Sequence, residues 1–161
     1  MVHILINLTM LETIHQIKRY FTLSELVDER TVKERGEFAW ACFDPRALEV
    51  LLWLREGLGI PLVVNTKDRQ QRGLRTNVCE MVKTKTLADI LYIGAHNLGK
   101  GFDVNAAKNR MTPDEIRAWI VAHIDECPYP IRLEDGKSAK TWVHFDVMNT
   151  GEKDKLIWFK G

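Results

Sequence analysis

The stretch Gly94-Ala95-His96-Asn97-Leu98-Gly99-Lys100-Gly101-Phe102-Asp103-Val104 is the part of the chain around which we expect the fold to be organised. If its last residues are extended, the period of two in a strand sends Phe102 and Val104 to one face and Asp103 to the other. Gly101 shares the face of Asp103 and carries no side chain, so a metal ion and the ring of His96 could approach the backbone there. The stretch therefore predicts half of a metal site.

A second stretch, residues 141–147, supplies the other half. It alternates strictly between apolar and polar residues and is predicted to be a strand. Its polar face carries Trp142, His144 and Asp146. With His96 and Asp103, His144 completes a set of two imidazoles and one carboxylate, which is typical of a zinc site with an open position. Histidines satisfied by ordinary hydrogen bonds are the alternative that the residues alone leave open.

Composition places the chain among ordinary soluble domains. It has 161 residues, of which 45% are hydrophobic and 28% charged, so we predict a single domain over residues 1–161. The formal net charge of +1 lacks the positive excess that a phosphate backbone attracts, which argues against nucleic acid as a partner. The apolar segment 1–9 lacks a basic leading region and a clear cleavage site, so we expect no signal peptide and no membrane partner.

Local signals predict an α+β fold in which helices pack on one side of an antiparallel sheet. Asp44-Pro45 and Gly59 bound a strong helix, and Thr112-Pro113-Asp114-Glu115 opens another. Further helices are predicted over residues 11–20 and 22–27, and strands over residues 60–64, 129–134, 141–147 and 156–159, with turns at 135–138 and 149–152. Residues 28–37 and 66–89 are predicted to be polar loops.

Cysteine and the remaining histidines give weaker signals. Cys42, Cys79 and Cys127 are odd in number and widely spaced, which favours small buried side chains over disulfides or a thiolate zinc site. His123, near the end of a predicted helix, is more typical of a surface residue that the helix dipole favours than of a ligand.

The two motifs together resemble a known family. The pattern His96-x-x-Gly99-x-Gly101-x-Asp103, followed 41 residues after Asp103 by His144 in Thr141-Trp142-Val143-His144-Phe145-Asp146, is similar to the zinc D-Ala-D-Ala carboxypeptidases and peptidoglycan endopeptidases of the hedgehog/DD-peptidase fold. The short single-domain members encoded by bacteriophages and prophages are the most similar. The resemblance extends through residues 20–26, Asp44-Pro45-Arg46 and Arg72-Gly73-Leu74-Arg75 to the C-terminal strands.

The resemblance implies an activity and the residues that carry it. The chain would be a monomeric Zn2+ peptidase that hydrolyses peptide stems of bacterial peptidoglycan, with His96, Asp103 and His144 as metal ligands. Substrate would be bound by Arg75, with Arg72 as its substitute and Trp142 on the same polar face as His144. Without a signal peptide, the enzyme would be cytoplasmic at synthesis and act on the wall after release by other means, and a cytoplasmic dipeptidase fits this expectation equally well. Carboxypeptidase and endopeptidase activities both remain open.

The chain departs from the family pattern at two positions. Gly94 stands where relatives commonly have a serine two residues before the first ligand. Thr141 stands three residues before His144, where many members have the catalytic glutamate or aspartate. We therefore predict that the general base comes from elsewhere, with Asp146 as first candidate and Glu134 as second.

Two other functions are compatible with the sequence. Because Thr141 is not acidic, the chain could be a zinc-bearing module that binds the cell wall or a virion without hydrolysis. A structural virion or scaffold protein with no metal is the remaining alternative.

Overall fold

The helices begin and end at residues whose local chemistry explains them. A computed structural model describes residues 9–148, 151 and 153–161, and it is α+β with a mixed sheet. The apolar segment 1–8 and three residues of the predicted turn 149–152 (149, 150 and 152) lie outside the described residues. The helices are α1 (Met10–Ile17), α2 (Glu29–Arg35), α3 (Pro45–Leu58), α4 (Glu80–Leu87) and α5 (Pro113–Ala122), and the strands are β1 (Leu62–Val63), β2 (Gly101–Ala106), β3 (Ile131–Glu134), β4 (Val143–Asp146) and β5 (Leu156–Phe159).

The predicted capping signals are confirmed. Asp44 accepts a hydrogen bond from the backbone of Arg46 at the start of α3, and Gly59 ends that helix in the left-handed conformation with φ of 65°. Thr112 and Glu115 form a reciprocal capping box at the start of α5. The box predicted at Thr22 is also present, but it opens only a 3₁₀ turn, Leu23–Glu25, instead of a helix to residue 27.

Two helices replace predicted loops. α2 lies within residues 28–37 and α4 within residues 66–89, and neither helix buries any of its residues. A helix without a buried face has no apolar periodicity, which is why the pattern did not indicate it. The N-cap of α2 is nevertheless specific, because the buried Asp28 accepts hydrogen bonds from both the backbone and the side chain of Thr31.

The sheet has the order β1-β2-β4-β3-β5, and the prediction of an antiparallel sheet is wrong at its last strand. The pairs β1–β2, β2–β4 and β4–β3 are antiparallel, whereas β3 and β5 are parallel. The reason is topological. β3 and β4 run in opposite directions, so β4 ends beside the start of β3, and β5 then begins next to Ile131 on the far side of β3.

One face of the sheet forms the core with the helices. Phe102, Val104, Val143 and Phe145 are fully buried in a single cluster to which α3 and α5 contribute Leu48, Leu51, Leu54, Ile116 and Ile120. This is the alternation predicted for β2 and β4. The opposite face of these strands therefore holds the polar side chains, among them Asp103 and His144.

The cysteines and the helix lengths bear on two other predictions. Cys127 is buried as predicted, but Cys79 is half-buried and Cys42 is exposed. No helix among the described residues is both long and apolar enough to cross a membrane.

Candidate metal centre and its groove

Strand register brings the three predicted ligands together. Asp103 on β2 lies directly opposite His144 on β4, and His96 reaches the same point from the loop before β2. His144 Nδ1 is 2.8 Å from Asp103 Oδ1 and 3.1 Å from His96 Nε2, while His96 Nε2 is 3.3 Å from Asp103 Oδ1. All three side chains are buried.

The other ring nitrogen of each histidine fixes its tautomer. His96 Nδ1 lies 2.9 Å from the carbonyl oxygen of Gly73, which can only accept a hydrogen bond, so this nitrogen carries the proton. His144 Nε2 lies 3.1 Å from Asp146 Oδ2 and donates to that carboxylate in the same way. In the neutral rings, the nitrogens that face each other therefore carry lone pairs and no proton.

This donor set fits a metal ion. Two nitrogen lone pairs and a carboxylate oxygen converge on one point, and an arrangement made only of acceptors requires a cation or a shared proton. Ligand atoms on a tetrahedral zinc are about 3.4 Å apart, close to the distances between these three atoms. Among the described residues, these are the only histidine, cysteine and acidic side chains that form such a group.

Without a metal, a proton takes the cation's place. Burial opposes the charged form of His144, but hydrogen bonds to Asp103 and Asp146 raise its pKa to about 9. Burial likewise disfavours ionised Asp103, yet the two histidines hold the pKa of this carboxyl well below its usual range. The pocket thus favours a positive charge between its three ligands.

The carbonyl of Gly73 is held in place by close backbone packing. A side chain at Gly73 would place a Cβ 2.1 Å from the carbonyl oxygen of Leu26, so only glycine allows this approach. The buried Asn65 accepts hydrogen bonds from the backbone N–H groups of Arg72 and Gly73. The loop therefore presents a fixed acceptor to His96.

The space left by the missing side chain of Gly101 was predicted to admit a metal ion and the ring of His96, but other side chains fill it. A Cβ there would lie 2.9 Å from the Cβ of Ala95 and 3.0 Å from the Cβ of Asp146. The space left by the missing side chain is thus occupied by Ala95 and Asp146, whereas the ring of His96 reaches the site beside it.

Asp146, the first candidate for the general base, has both oxygens occupied. Arg132 binds it through two hydrogen bonds of 2.8 Å, Met148 N donates to Oδ1 at 2.9 Å, and His144 Nε2 donates to Oδ2. The carboxylate is fully buried. Its contacts hold the ring of His144 and leave no free oxygen toward a substrate.

Glu134, the second candidate, lies on the groove. Continuing the β3–β4 register by one residue from the pair of Leu133 and Phe145 brings Glu134 beside His144. No described residue donates a hydrogen bond to its side-chain oxygens. Burial raises the pKa of Glu134, and the positive charge of protonated His144 opposes that shift. A raised pKa makes a carboxylate a better proton acceptor near neutral pH.

A groove of about 390 Å³ opens onto the three ligands. A larger groove of about 580 Å³ lies beside α2, but it contains no such ligand group within the described chain. The groove at the ligands is lined by Arg75, Met81, Tyr92, His96, Asp103, Glu134, Trp142, His144, Phe159 and Gly161.

Arg75 is the cation of this groove. Its Nη1 donates to the hydroxyl of Tyr92 at 2.9 Å and its Nε to the carbonyl of Gln71 at 3.3 Å. Among the described residues, no carboxylate forms a salt bridge with Arg75. A guanidinium held by neutral acceptors remains available to an anionic group.

The other predicted residues have separate positions. Trp142 lines the groove, whereas Arg72 does not, and its side chain donates to Asn105 at 2.6 Å while its carbonyl accepts from Asp103 N. Thr141 is exposed. His123 stacks on Trp119 at 4.3 Å between ring centroids, away from the ligands.

Sequence reasoning missed four residues at the site. Tyr92, Met81 and Phe159 line the groove, and Arg132 binds Asp146 and covers the ring of Phe159 at 4.6 Å. Tyr92 could have been found from the sequence, because it lies two residues before Gly94, which begins the stretch that carries His96. In the structure its hydroxyl is 3.4 Å from where a Cβ at Gly94 would be. The positions of Met81, Phe159 and Arg132 at the site depend on the placement of α4 and on strand pairing, which the sequence pattern does not give.

Comparisons with known proteins found no matching family model, no matching curated protein and no matching solved structure.

Proposed function

We propose that this protein is a zinc metallopeptidase that hydrolyses peptide bonds in the stems of bacterial peptidoglycan. The observation that carries the proposal is the convergence of His96 Nε2, His144 Nδ1 and Asp103 Oδ1 on the floor of a groove that also contains the side chain of Glu134. Three protein ligands with an open position are typical of catalytic zinc sites, whereas structural sites are closed by four. The resemblance of the sequence motifs to zinc peptidases of the cell wall supports the choice of substrate.

His96, Asp103 and His144 would hold the ion. When bound, zinc supplies Lewis acidity and lowers the pKa of a water molecule toward roughly 7. Gly73 and Asp146 keep both imidazoles in the tautomers that ligation requires.

Glu134 serves as the general base and acid in this proposal. Its carboxylate takes a proton from the attacking water as the new C–O bond forms at the scissile carbonyl. It then gives that proton to the amine that leaves as the C–N bond breaks. The free oxygens and raised pKa of Glu134 suit this role better than the fully bound carboxylate of Asp146.

Arg75 and Tyr92 bind the anionic end of the reacting group. The guanidinium either stabilises the oxyanion that develops on the scissile carbonyl or pairs with the terminal carboxylate of the stem. Trp142 and Phe159 provide apolar walls to the same groove. The protein would act as a monomer on the cell wall.

The substitution Glu134→Gln tests the proposal. We expect full zinc content and a decrease of about two orders of magnitude or more in the release of amino groups from purified peptidoglycan, within the range of acid–base catalysis. Glu126→Gln, at an exposed glutamate of a 3₁₀ turn, is the matched control and should keep wild-type turnover. If zinc-loaded wild-type protein releases no amino groups, the proposed activity is wrong.

A second candidate function is a zinc-bearing module that binds the wall without cleaving it. The observation that favours it is the exposed Thr141 at the position where many zinc peptidases of this type have their acidic residue. Sedimentation of the zinc-loaded protein with peptidoglycan, without any release of amino groups, would support this candidate over the peptidase.

A further inference from the structure

Arg117 is a buried cation behind the groove. It lies on α5, is 4% exposed, and contacts none of the three metal ligands through a hydrogen bond. Within the described part of the chain, its only carboxylate partner is Asp114, at 2.9 Å, whose side chain is 86% exposed. The guanidinium is therefore held mainly by neutral groups inside the protein.

Those neutral groups belong to one hairpin. Arg117 Nε donates to the carbonyl of Glu134 at 3.2 Å, and Nη2 donates to the carbonyls of Ala139 at 2.5 Å and Trp142 at 2.6 Å. Glu134 is the last residue of β3, and Trp142 immediately precedes β4. A single side chain thus binds both ends and the middle of the β3–β4 connection.

The turn of this hairpin also packs closely against the arginine. A Cβ at Gly136 would lie 2.8 Å from Asp114 Oδ1 and 3.4 Å from Arg117 Nη1. The turn is closed by Asp135, whose side chain accepts from Ser138 N at 2.7 Å. The connection is therefore held by the hydrogen bond in its own turn and by the contacts of α5 with it.

Burial of a guanidinium is costly for stability, because the charge loses its hydration and carbonyl groups replace it only in part. An apolar residue at this position of α5 would pack against the core with a smaller penalty in free energy. The planar donors of arginine, however, can bind three separate carbonyls in one fixed arrangement. Two of the three carbonyls that it binds belong to Glu134 and Trp142, the hairpin residues whose side chains line the groove.

We infer that Arg117 is a positioning residue for the peptidase reaction, which holds the general base Glu134 and the groove wall Trp142 in register with the metal ligands. The inference rests on the proposed function. Arg117 touches neither substrate nor metal, and it acts through the backbone of the hairpin. A loosened hairpin misplaces the base relative to the scissile bond, and small misplacements of that kind cost about a hundredfold in rate.

The test compares Arg117→Lys and Arg117→Met with the control Asp114→Asn, which removes only the negative charge of the exposed partner. All are zinc-loaded and assayed on purified peptidoglycan well below their melting temperatures. We expect unchanged zinc content, kcat lowered at least tenfold in Arg117→Met with a smaller change in KM, an intermediate kcat in Arg117→Lys, and wild-type kinetics in Asp114→Asn. Faster amide hydrogen exchange over residues 134–142 should accompany the loss.

The outcomes separate this inference from the proposed function. Variants that are folded, zinc-loaded and as active as wild type would overturn the role of Arg117 alone. A loss of kcat that only parallels a loss of folded protein would assign Arg117 to stability and also overturn it. Should Arg117→Met fail to fold, Arg117→Lys decides by the same criteria. A zinc-loaded wild type without activity would overturn the proposed function and this inference together.

Discussion

His96 and His144 each use one ring nitrogen to bind an anchoring oxygen of the protein and turn the other toward the point where a metal ion could be held. The two anchors differ, because His96 donates to a neutral carbonyl and His144 to the carboxylate of Asp146. A carboxylate anchor raises the basicity of the ligand more than a carbonyl does. His144 is therefore the ligand whose loss should affect metal binding most clearly.

We predict that His144→Ala abolishes stoichiometric zinc binding, because only His96 and Asp103 remain. Metal analysis after dialysis should give one zinc per chain for wild type and nearly none for the variant. His123→Ala is the control, since His123 stacks on Trp119 outside the site and should not affect zinc content. Full zinc content in His144→Ala would show that the ligand assignment is wrong.

Asp146→Asn separates a ligand anchor from a general base. Because Asp146 binds His144 and Arg132, we expect zinc affinity to fall by about ten- to a hundredfold. Turnover at saturating zinc should remain near that of wild type. Competition with a fluorescent chelator measures the affinity. Retained affinity with turnover reduced by about a hundredfold would instead make Asp146 the base.

At the scale of elements, helices without a buried face depend on their caps. α2 has no buried residue, yet its N-cap Asp28 is buried and also accepts a hydrogen bond from Thr76 at 3.2 Å. Asp28 thereby joins α2 to the loop that leads to Arg75. The same loop supplies the carbonyl of Gly73 to His96.

We predict that Asp28→Ala destabilises the protein by about 1–2 kcal/mol, the upper range for loss of an N-cap. The reason is that the backbone of Thr31 and the hydroxyl of Thr76 lose their acceptor. Urea denaturation measures the change. Glu29→Ala, at the exposed next residue, should shift the free energy of unfolding by less than about 0.5 kcal/mol. Equal effects of the two substitutions would contradict the capping role.

At the scale of the whole molecule, the candidate metal site joins parts of the chain that are distant in sequence. The loop of His96, strand β2 and strand β4 all meet there, so zinc that binds only the folded chain should stabilise the entire fold. At a free zinc concentration a hundred times the Kd, the expected gain is about 2.7 kcal/mol.

We therefore predict a higher melting temperature with zinc than with a chelator, and a dependence of that gain on pH. In the metal-free protein the pKa of His144 is raised from 6.5 to about 9, so its stabilising contribution is complete below pH 6.5 and is lost as pH rises through about 9. Zinc replaces that proton, so the gain should be larger at pH 8.5 than at pH 6.5. Thermal scans at the two pH values measure it, and a gain independent of pH would contradict the shared-proton arrangement.

Local chemistry alone determined the well-capped helices, the alternation of β2 and β4, and the three candidate ligands. Asp44-Pro45 with Gly59 specifies α3, and the apolar alternation places Phe145 in the core and His144 on the opposite face. These features depend on residues near one another in the chain. The sequence also predicted His96, Asp103 and His144 as one group, from the polar faces of two strands, the loop that carries His96 and the resemblance of the motifs, and the pairing of β2 with β4 brings them together.

Only the tertiary structure decided the position and direction of β5, the partners of Asp146 and the hydrogen bonds of Arg117 to the β3–β4 connection. Alternation gives the face of Asp146 but not its partners, and Arg132 meets it through the register of β3 with β4. Glu134 and Trp142 are joined through Arg117 on a different element. These contacts depend on which strands pair and which helix packs beneath them, and that is determined by packing across the whole core.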